Sequence, residues 1–187
     1  MDSETLITPR LILRQPQITD SAALCAQFSD FEVAKMTASV AHPYPLHAAE
    51  MWLLCYPSAR RRGLRHSFAI QHDGKMIGII SLFRADSQAQ WELGYHIARD
   101  VWGRGFATEA ARAVLDYAYD SLCAAQVGAG IYTDNPASHR VIIKLGFERG
   151  AAERVWCMAR GKYVEGHTYS IDLRNWPKRH EALKDAS

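Results

Sequence analysis

Trp91-Glu92-Leu93-Gly94-Tyr95-His96-Ile97-Ala98-Arg99-Asp100-Val101-Trp102-Gly103-Arg104-Gly105-Phe106-Ala107-Thr108-Glu109-Ala110-Ala111 is the stretch that decides the fold. Its first part alternates, with Trp91, Leu93, Tyr95 and Ile97 on one face and Glu92, Gly94 and His96 on the other. That is the period of a β-strand. From Phe106 the period becomes helical, with Ala107, Ala110, Ala111, Val114, Leu115 and Ala118 along one face as far as Leu122. Between them lies a glycine-flanked basic turn, Trp102–Thr108. A strand that delivers such a loop onto a helix N-terminus can hold phosphate. Gly103 and Gly105 let backbone N–H groups approach an anion. The first helical N–H groups lack partners, and the helix dipole favours negative charge there. Arg104 adds a charge-assisted donor.

Working outward, Asp134-Asn135-Pro136-Ala137-Ser138 opens a short helix, Pro136–Leu145, with Asn135 at the N-cap and Pro136 at N1. Gly146 suits its C-terminal cap, before Phe147. Upstream, Leu11-Ile12-Leu13 reads as a short buried strand, and Thr19 or Asp20 can cap a helix over Ala22–Phe28. Pro43 and Pro45 bracket Tyr44 in an extended loop. Ala48–Leu54 is helical, with Pro57 disturbing its end. Ser67–Gln71 and Met76–Phe83 form a hairpin around Asp73-Gly74. Strands follow at Gln126–Thr133, near Glu153–Met158 and at Tyr169–Leu173. The order is α/β, with antiparallel hairpins first and βαβα units later.

Composition bounds the function. The 187 residues suit one domain, spanning 1–187. Apolar residues at 48% and charged residues at 22% describe a soluble globular chain. A net charge of +2 gives no general affinity for polyanions, so no nucleic acid is expected. The four cysteines, Cys25, Cys55, Cys123 and Cys157, lie far apart and form no CxxC pair. No metal site and no disulfide framework is therefore expected, and lone thiols fit a reducing compartment. Met1-Asp2-Ser3-Glu4-Thr5 is acidic, without the apolar run of a secretory leader. No segment is apolar enough to span a membrane. A cytoplasmic location is the expectation.

Two familiar phosphate loops do not fit. A Walker loop needs Gly-Lys-Ser/Thr, which is missing. A dinucleotide fingerprint needs Gly or Ala where Thr108 stands, within a first βαβ unit. Gly105-Phe106-Ala107 instead resembles the second half of the acyl-CoA loop of the GNAT N-acetyltransferases. Trp102-Gly103-Arg104-Gly105-Phe106-Ala107-Thr108-Glu109-Ala110 is similar to the variant of the RimJ/RimL-like branch, although Trp102 replaces the usual Gln or Arg. Thr8-Pro9-Arg10-Leu11-Ile12-Leu13-Arg14 resembles that branch's opening strand. Ser67-Phe68-Ala69-Ile70 with Gly74-Lys75-Met76-Ile77-Gly78 resembles its central hairpin. Asn135-Pro136-Ala137-Ser138 with Lys144-Leu145-Gly146-Phe147 resembles its second CoA segment.

The resemblance implies a GNAT domain: a twisted mixed sheet, helices on both faces, and acetyl-CoA in a splay between the parallel strands Trp91–Ile97 and Gln126–Thr133. Orphaned strand groups need partners, and a peptide-like pantetheine arm supplies them. The resemblance assigns Ile97 and Ala98 to the pantetheine or thioester. It assigns Trp102, Gly103, Arg104, Gly105, Phe106, Ala107 and Thr108 to the pyrophosphate, and Asn135 to the pantetheine amide. Lys144, with Arg140, could reach the ribose phosphate, or simply belong to an exposed helix.

The expected reaction moves an acetyl group from acetyl-CoA to a primary amine by direct attack. Glu92 is a candidate base, or an ordinary ion-paired strand residue; His96 is an alternative base. The tyrosine that many relatives carry about two turns after the Asn is replaced by Val141-Ile142-Ile143. Ser138 is then the nearest hydroxyl for the CoA sulfur. Phe31–Arg65 should shape the acceptor site, with Tyr44, Trp52 and Tyr56 as candidate walls. The run Arg60-Arg61-Arg62 with Arg65 is a solvated face or a grip on an acidic surface. The acceptor is a protein N-terminus, of the ribosomal-protein type, or a small-molecule amine. Other readings are a non-catalytic acyl-CoA sensor and a nucleotide-binding module. A homodimer stays open.

Overall fold

Among the described residues, alternating apolar residues place eight strands in one sheet. These are β1 (Leu6–Ile7), β2 (Ile12–Arg14), β3 (Arg65–His72), β4 (Lys75–Phe83), β5 (Trp91–Ile97), β6 (Gln126–Tyr132), β7 (Glu148–Cys157) and β8 (Lys162–Asp172). The computed structural model describes residues 4–86, 89–174 and 176. Met1-Asp2-Ser3 of the acidic start lies outside them. The strand order is β1-β2-β3-β4-β5-β6-β8-β7. Every neighbouring pair is antiparallel except β5–β6. Among the described residues, five α-helices cover the sheet: α1 (Ser21–Ser29), α2 (Phe31–Ala34), α3 (Leu46–Arg61), α4 (Phe106–Asp120) and α5 (Pro136–Lys144).

Two apolar clusters hold the layers together. Phe68, Ile80, Leu82 and Leu93 pack against Val114 and Leu115 of α4 and Ile142 of α5. Ile79 packs against Leu24, Phe28, Val33 and Leu53 of α1, α2 and α3. Ile79 and Ile80 are adjacent on β4 and so point to opposite faces. The sheet therefore carries helices on both faces, as expected.

The parallel pair is brief. β5 meets β6 only at Trp91↔Val127 and Glu92↔Gly128. Beyond that foot the two strands diverge. β5 stays laddered on β4 to Ile97, and β6 stays laddered on β8 to Tyr132. Each strand is thus held from its outer side, and the gap is part of the framework.

Some local expectations change. α3 runs through Pro57 to Arg61. Pro57 is exposed, so the carbonyl that it deprives of a donor can meet water, while buried Leu53 and Tyr56 hold the flanking turns. Asp20 does not cap α1 with its side chain. Its carboxylate is taken by Arg14, at 2.7 and 2.8 Å, and by the Gln17 N–H. β7 and β8 are longer than their patterns suggest, and β1 and α2 were not expected.

Gly78 lets β4 and β5 lie together beside the gap. A Cβ there would stand 2.2 Å from the His96 carbonyl oxygen, which is backbone and cannot swing aside. Gly78→Ala is expected to cost about 1–3 kcal/mol, the usual range for overpacking. Urea unfolding should show a lower midpoint at unchanged slope.

Candidate active site

A cleft of about 420 Å³ opens where β5 and β6 part. Ile97 lines it from β5, and the whole loop Trp102–Thr108 closes its mouth. Asn135, Ser138, Arg140 and Lys144 line it from the side of α5. Most of the residues expected to hold the cofactor are therefore brought together.

Ala98 is the exception. Its N–H donates to the Ile77 carbonyl at 2.8 Å and so points to β4, away from the gap. The antiparallel ladder alternates. Glu92, Gly94 and His96 therefore turn their main-chain groups toward β4, and Leu93, Tyr95 and Ile97 turn theirs toward the gap. The Ile97 carbonyl is already met by the Trp102 indole N–H at 2.7 Å. Tyr95, rather than Ala98, presents main-chain groups to a ligand in the gap.

The loop has the backbone that its glycines predict. Gly103 and Gly105 have φ of 74° and 82°, in the left-handed region that glycine enters without strain. A brace that the sequence did not reveal holds the loop from outside. The Arg10 guanidinium donates to the Arg104 carbonyl at 3.0 Å and to Glu109 at 2.6 Å, and lies over the Phe106 ring. Glu109 also accepts from the Thr8 hydroxyl at 2.6 Å and the Arg10 N–H at 2.9 Å. With the Arg104 carbonyl held back by Arg10, the loop's N–H groups can face the cleft. These bonds together hold the Glu109 carboxyl below its usual pKa against the opposing effect of its own burial. The partners lie far apart in sequence, and no local period marks such a pair.

Asn135 caps α5, its side-chain oxygen accepting from the Ser138 N–H at 3.1 Å. The Nδ2 amide is left as a donor. Tyr95 lines the cleft with Ser138. Its hydroxyl oxygen is buried beside Ser138, and burial pushes its pKa up to about 12 against the opposing effect of that serine.

His96 is buried, and its Nε2 meets the Gln27 side-chain oxygen at 2.8 Å. Gln27 in turn donates to the Met76 carbonyl at 3.0 Å. Burial pushes the His96 pKa down to about 3, so the ring is a poor proton acceptor at neutral pH. This argues against His96 as the base.

Glu92 stands outside the main cleft. It lines a second one, of about 270 Å³, at the paired foot of β5 and β6. Gln90, Gly128, Gly130, Glu153 and Thr168 border that cleft. Burial, and then the Glu153 charge, raise the Glu92 pKa. Tyr44 and Trp52 border neither cleft. Tyr44 packs edge-on against Phe28 with ring centres 5.1 Å apart, and Trp52 stacks on Tyr56 at 5.9 Å. Both belong to the core under α1 and α3. The same chain segment sends Val33, Met36 and Thr37 to the main cleft instead. The basic run is partly consumed in packing. Arg60 pairs with Glu4 and donates to Tyr56, and Arg65 covers Phe83. No set of three or more His, Cys, Asp or Glu that could hold a metal occurs among the described residues. No described helix is long and apolar enough to cross a membrane.

The GNAT acetyltransferase domain model matches residues 10–148. This chain belongs to the GNAT acetyltransferase family. It is an acetyl-CoA-dependent acetyltransferase. A Bacillus subtilis (strain 168) relative, named as an uncharacterized N-acetyltransferase, YoaA, is 30% identical over 169 residues, covering 89% of this chain and 95% of its own. Among solved structures, Mycobacterium smegmatis RimJ in complex with CoA-disulfide superposes with a TM-score of 0.81 at 19% identity, covering 94% of this chain and 88% of its own. RimL, a ribosomal L7/L12 α-N-protein acetyltransferase in complex with coenzyme A, gives 0.78 at 16% identity, covering 90% and 98%. At these identities the likeness establishes the shared fold.

Two tests follow from the site's charges. Glu109→Gln should weaken acetyl-CoA binding about tenfold and lower stability at neutral pH. The folded pKa of Glu109 is depressed from 4.5, so its stabilising effect is present above 4.5 and lost as pH falls through the folded value. Calorimetric titration and urea midpoints compared from pH 7 to 3 should show the stability difference vanish in acid. For His96 the unfolded chain takes a proton near 6.5 and the folded chain resists until about 3. Stability should therefore fall from pH 6.5 downward, and His96→Asn should flatten that slope.

Proposed function

We propose that this enzyme transfers an acetyl group from acetyl-CoA to a primary amine, with 1–187 acting as one catalytic domain. The acceptor is a protein N-terminus, as the name of RimL describes for that protein, or a small amine. One observation carries the reading: unpaired main-chain groups of β5 face a gap whose mouth is a glycine loop and two helix N-termini. Acetyl-CoA supplies an activated acyl group. The chain's own residues do the rest. Loop N–H groups, Gly103 to Thr108, bind pyrophosphate, with Arg104, and Lys144 serves the ribose phosphate. The Asn135 Nδ2 and the Tyr95 and Ile97 main chain orient the pantetheine like an added strand. Ser138 faces the sulfur.

The acceptor enters from the foot of the fork, where Glu92 and Glu153 attract a cationic amine. Glu92 takes the amine's proton directly or through water, because only the neutral amine has a lone pair to offer. Burial, and then the Glu153 charge, raise the Glu92 pKa and so make its carboxylate a stronger base than an exposed one. Holding both reactants together at the fork supplies orientation, worth several kcal/mol of barrier.

Three measurements test this. Thiol release should appear with at least one member of a panel of amines and N-terminal peptides; tight acetyl-CoA binding without turnover on any acceptor would return the chain to a sensing role. Glu92→Gln should lower turnover by about 10²–10⁴-fold with acetyl-CoA affinity largely kept, and an unchanged pH–rate profile removes Glu92 as the base. Gly105→Val, at φ 82°, should weaken binding of the coenzyme, and unchanged affinity in calorimetry would show the pyrophosphate lies elsewhere.

A further inference from the structure

Helix α3 carries apolar residues on its outer face as well as its inner one. The inner face is buried. Ala49 and Leu53 pack with residues of α1, and the Tyr56 hydroxyl donates to the Ser67 carbonyl of β3 at 3.1 Å. Met51 and Leu54 point the other way, 56% and 63% exposed, and Cys55 is exposed beside them. Residues three and four apart are neighbours on a helix, so these three form one continuous stripe. A helix already packed on one side has no need of a second apolar stripe, and such a stripe marks a surface to be covered.

Charges of opposite sign bound the stripe. Half-buried Glu50 stands one turn before Leu54, and exposed Arg61 two turns after it, on the same flank. No hydrogen bond or ion pair takes either charge among the described residues, whereas the neighbouring Arg60 is spent on Glu4. Glu50 and Arg61 are about 16 Å apart along the axis, too far to meet within one helix. Acid, hydrocarbon, base is a pattern that complements itself when reversed.

We propose that the outer face of α3 docks on the same face of a second copy of this chain, with the two helices antiparallel about a two-fold axis. Such an axis sets matching flanks side by side. Arg61 of each copy then meets Glu50 of the other, so the contact is made twice. Met51 and Leu54 of the two copies cover one another between those contacts. Cys55 lies midway between the two charges, close to the axis, and its thiol approaches its own counterpart. A membrane surface suits the stripe less well. Helices that lie on anionic lipid carry cations along their polar flanks, and here one end is Glu50. No residue of α3 lines either cleft, so the surface is separate from the proposed chemistry.

Sedimentation of the full chain over a dilution series should show a dimer that dissociates on dilution. Leu54→Asp should weaken association about tenfold or more. The decisive comparison is an exchange of charges. Glu50→Arg alone and Arg61→Glu alone each turn two attractive contacts into repulsive ones and should weaken the dimer about tenfold. Both together should restore native association. The two residues do not touch within one chain, so effects on the monomer would add rather than cancel. A short bismaleimide should also join two native chains, and Cys55→Ser should abolish the joining while Cys123→Ser keeps it. That result stands on the native surface charges even if a charged variant does not fold. A native chain that is monomeric throughout the series would overturn the proposal. So would a dimer whose cross-link survives Cys55→Ser, or one that the folded double exchange fails to rescue. A monomer that floats with phosphatidylglycerol vesicles would give the face to a membrane and overturn it equally.

Discussion

The early end of the β5–β6 pairing is the constraint on which the rest of the structure depends. Two parallel contacts hold the foot, at Trp91↔Val127 and Glu92↔Gly128, and the ladder stops there. Elsewhere in the sheet an open interior edge would be a liability, because buried main-chain groups without partners are costly. Here the fold answers part of the cost itself, by turning the Trp102 indole onto the Ile97 carbonyl. The main-chain groups of Tyr95 stay directed at the gap. α4 and α5 both begin at its mouth, at Phe106 and Pro136. Their dipoles add there and favour an anion. A chain that left this gap for no ligand would be carrying unsatisfied amides and two converging helix ends without return.

Much of this was legible in the chain because it is local. The alternation of Trp91–Ile97, the glycines of the loop and the helical period after Phe106 reproduce β5, the loop and α4 closely, and Asn135-Pro136 starts α5 where a cap and a first-turn proline should. What could not be read is carried by pairs distant in sequence. Arg10 and Glu109 meet only because β1 and β2 lie beside the start of α4, so the brace behind the loop had no local signature. Tyr44 and Trp52 are aromatic and near the expected acceptor segment, but residue type does not say which face a side chain will take; they pack under α1 and α3. Ala98 fails for a subtler reason. Strand period tells which side chains share a face, but the direction of each N–H depends on register with β4, which the chain alone does not fix.

Charge divides the two ends of the fork. Arg104, Arg140 and Lys144 border the wide cleft above it, and Glu92 and Glu153 border the narrow one at its foot. The net charge of +2 conceals this separation. On the proposed reading the polarity sorts the reactants: an anionic coenzyme is drawn to the mouth and a cationic amine to the foot. Local fields of this kind act on encounter and orientation more than on affinity. The glycines at the foot are part of the same arrangement. A Cβ on Gly130 would stand 2.9 Å from a Glu153 carboxylate oxygen, so that carboxylate lies close over the bare strand at Gly130.

The wall opposite α5 bears on which end the acceptor uses. Val33, Met36 and Thr37 form part of it, and the chain around them is tied down. The Arg160 side chain, only 9% exposed, donates to the Lys35 carbonyl at 2.7 Å and pairs with Asp134 at 2.6 Å, immediately before the Asn135 cap. The buried Cys157 thiol donates toward the Thr37 carbonyl, and the Met158 N–H meets the Ala38 carbonyl at 3.0 Å. One hairpin, β7–β8, thus fixes both the segment after α2 and the turn into α5. A wall held by an arginine with so little solvent around it costs more to swing open than a loop held by exposed contacts alone. If that side of the main cleft is rigid and the mouth is taken by the coenzyme, the foot of the fork is the approach left to the amine. On the proposed reading Glu92 then stands on the acceptor's path even though it lies outside the cleft proposed for the acetyl donor.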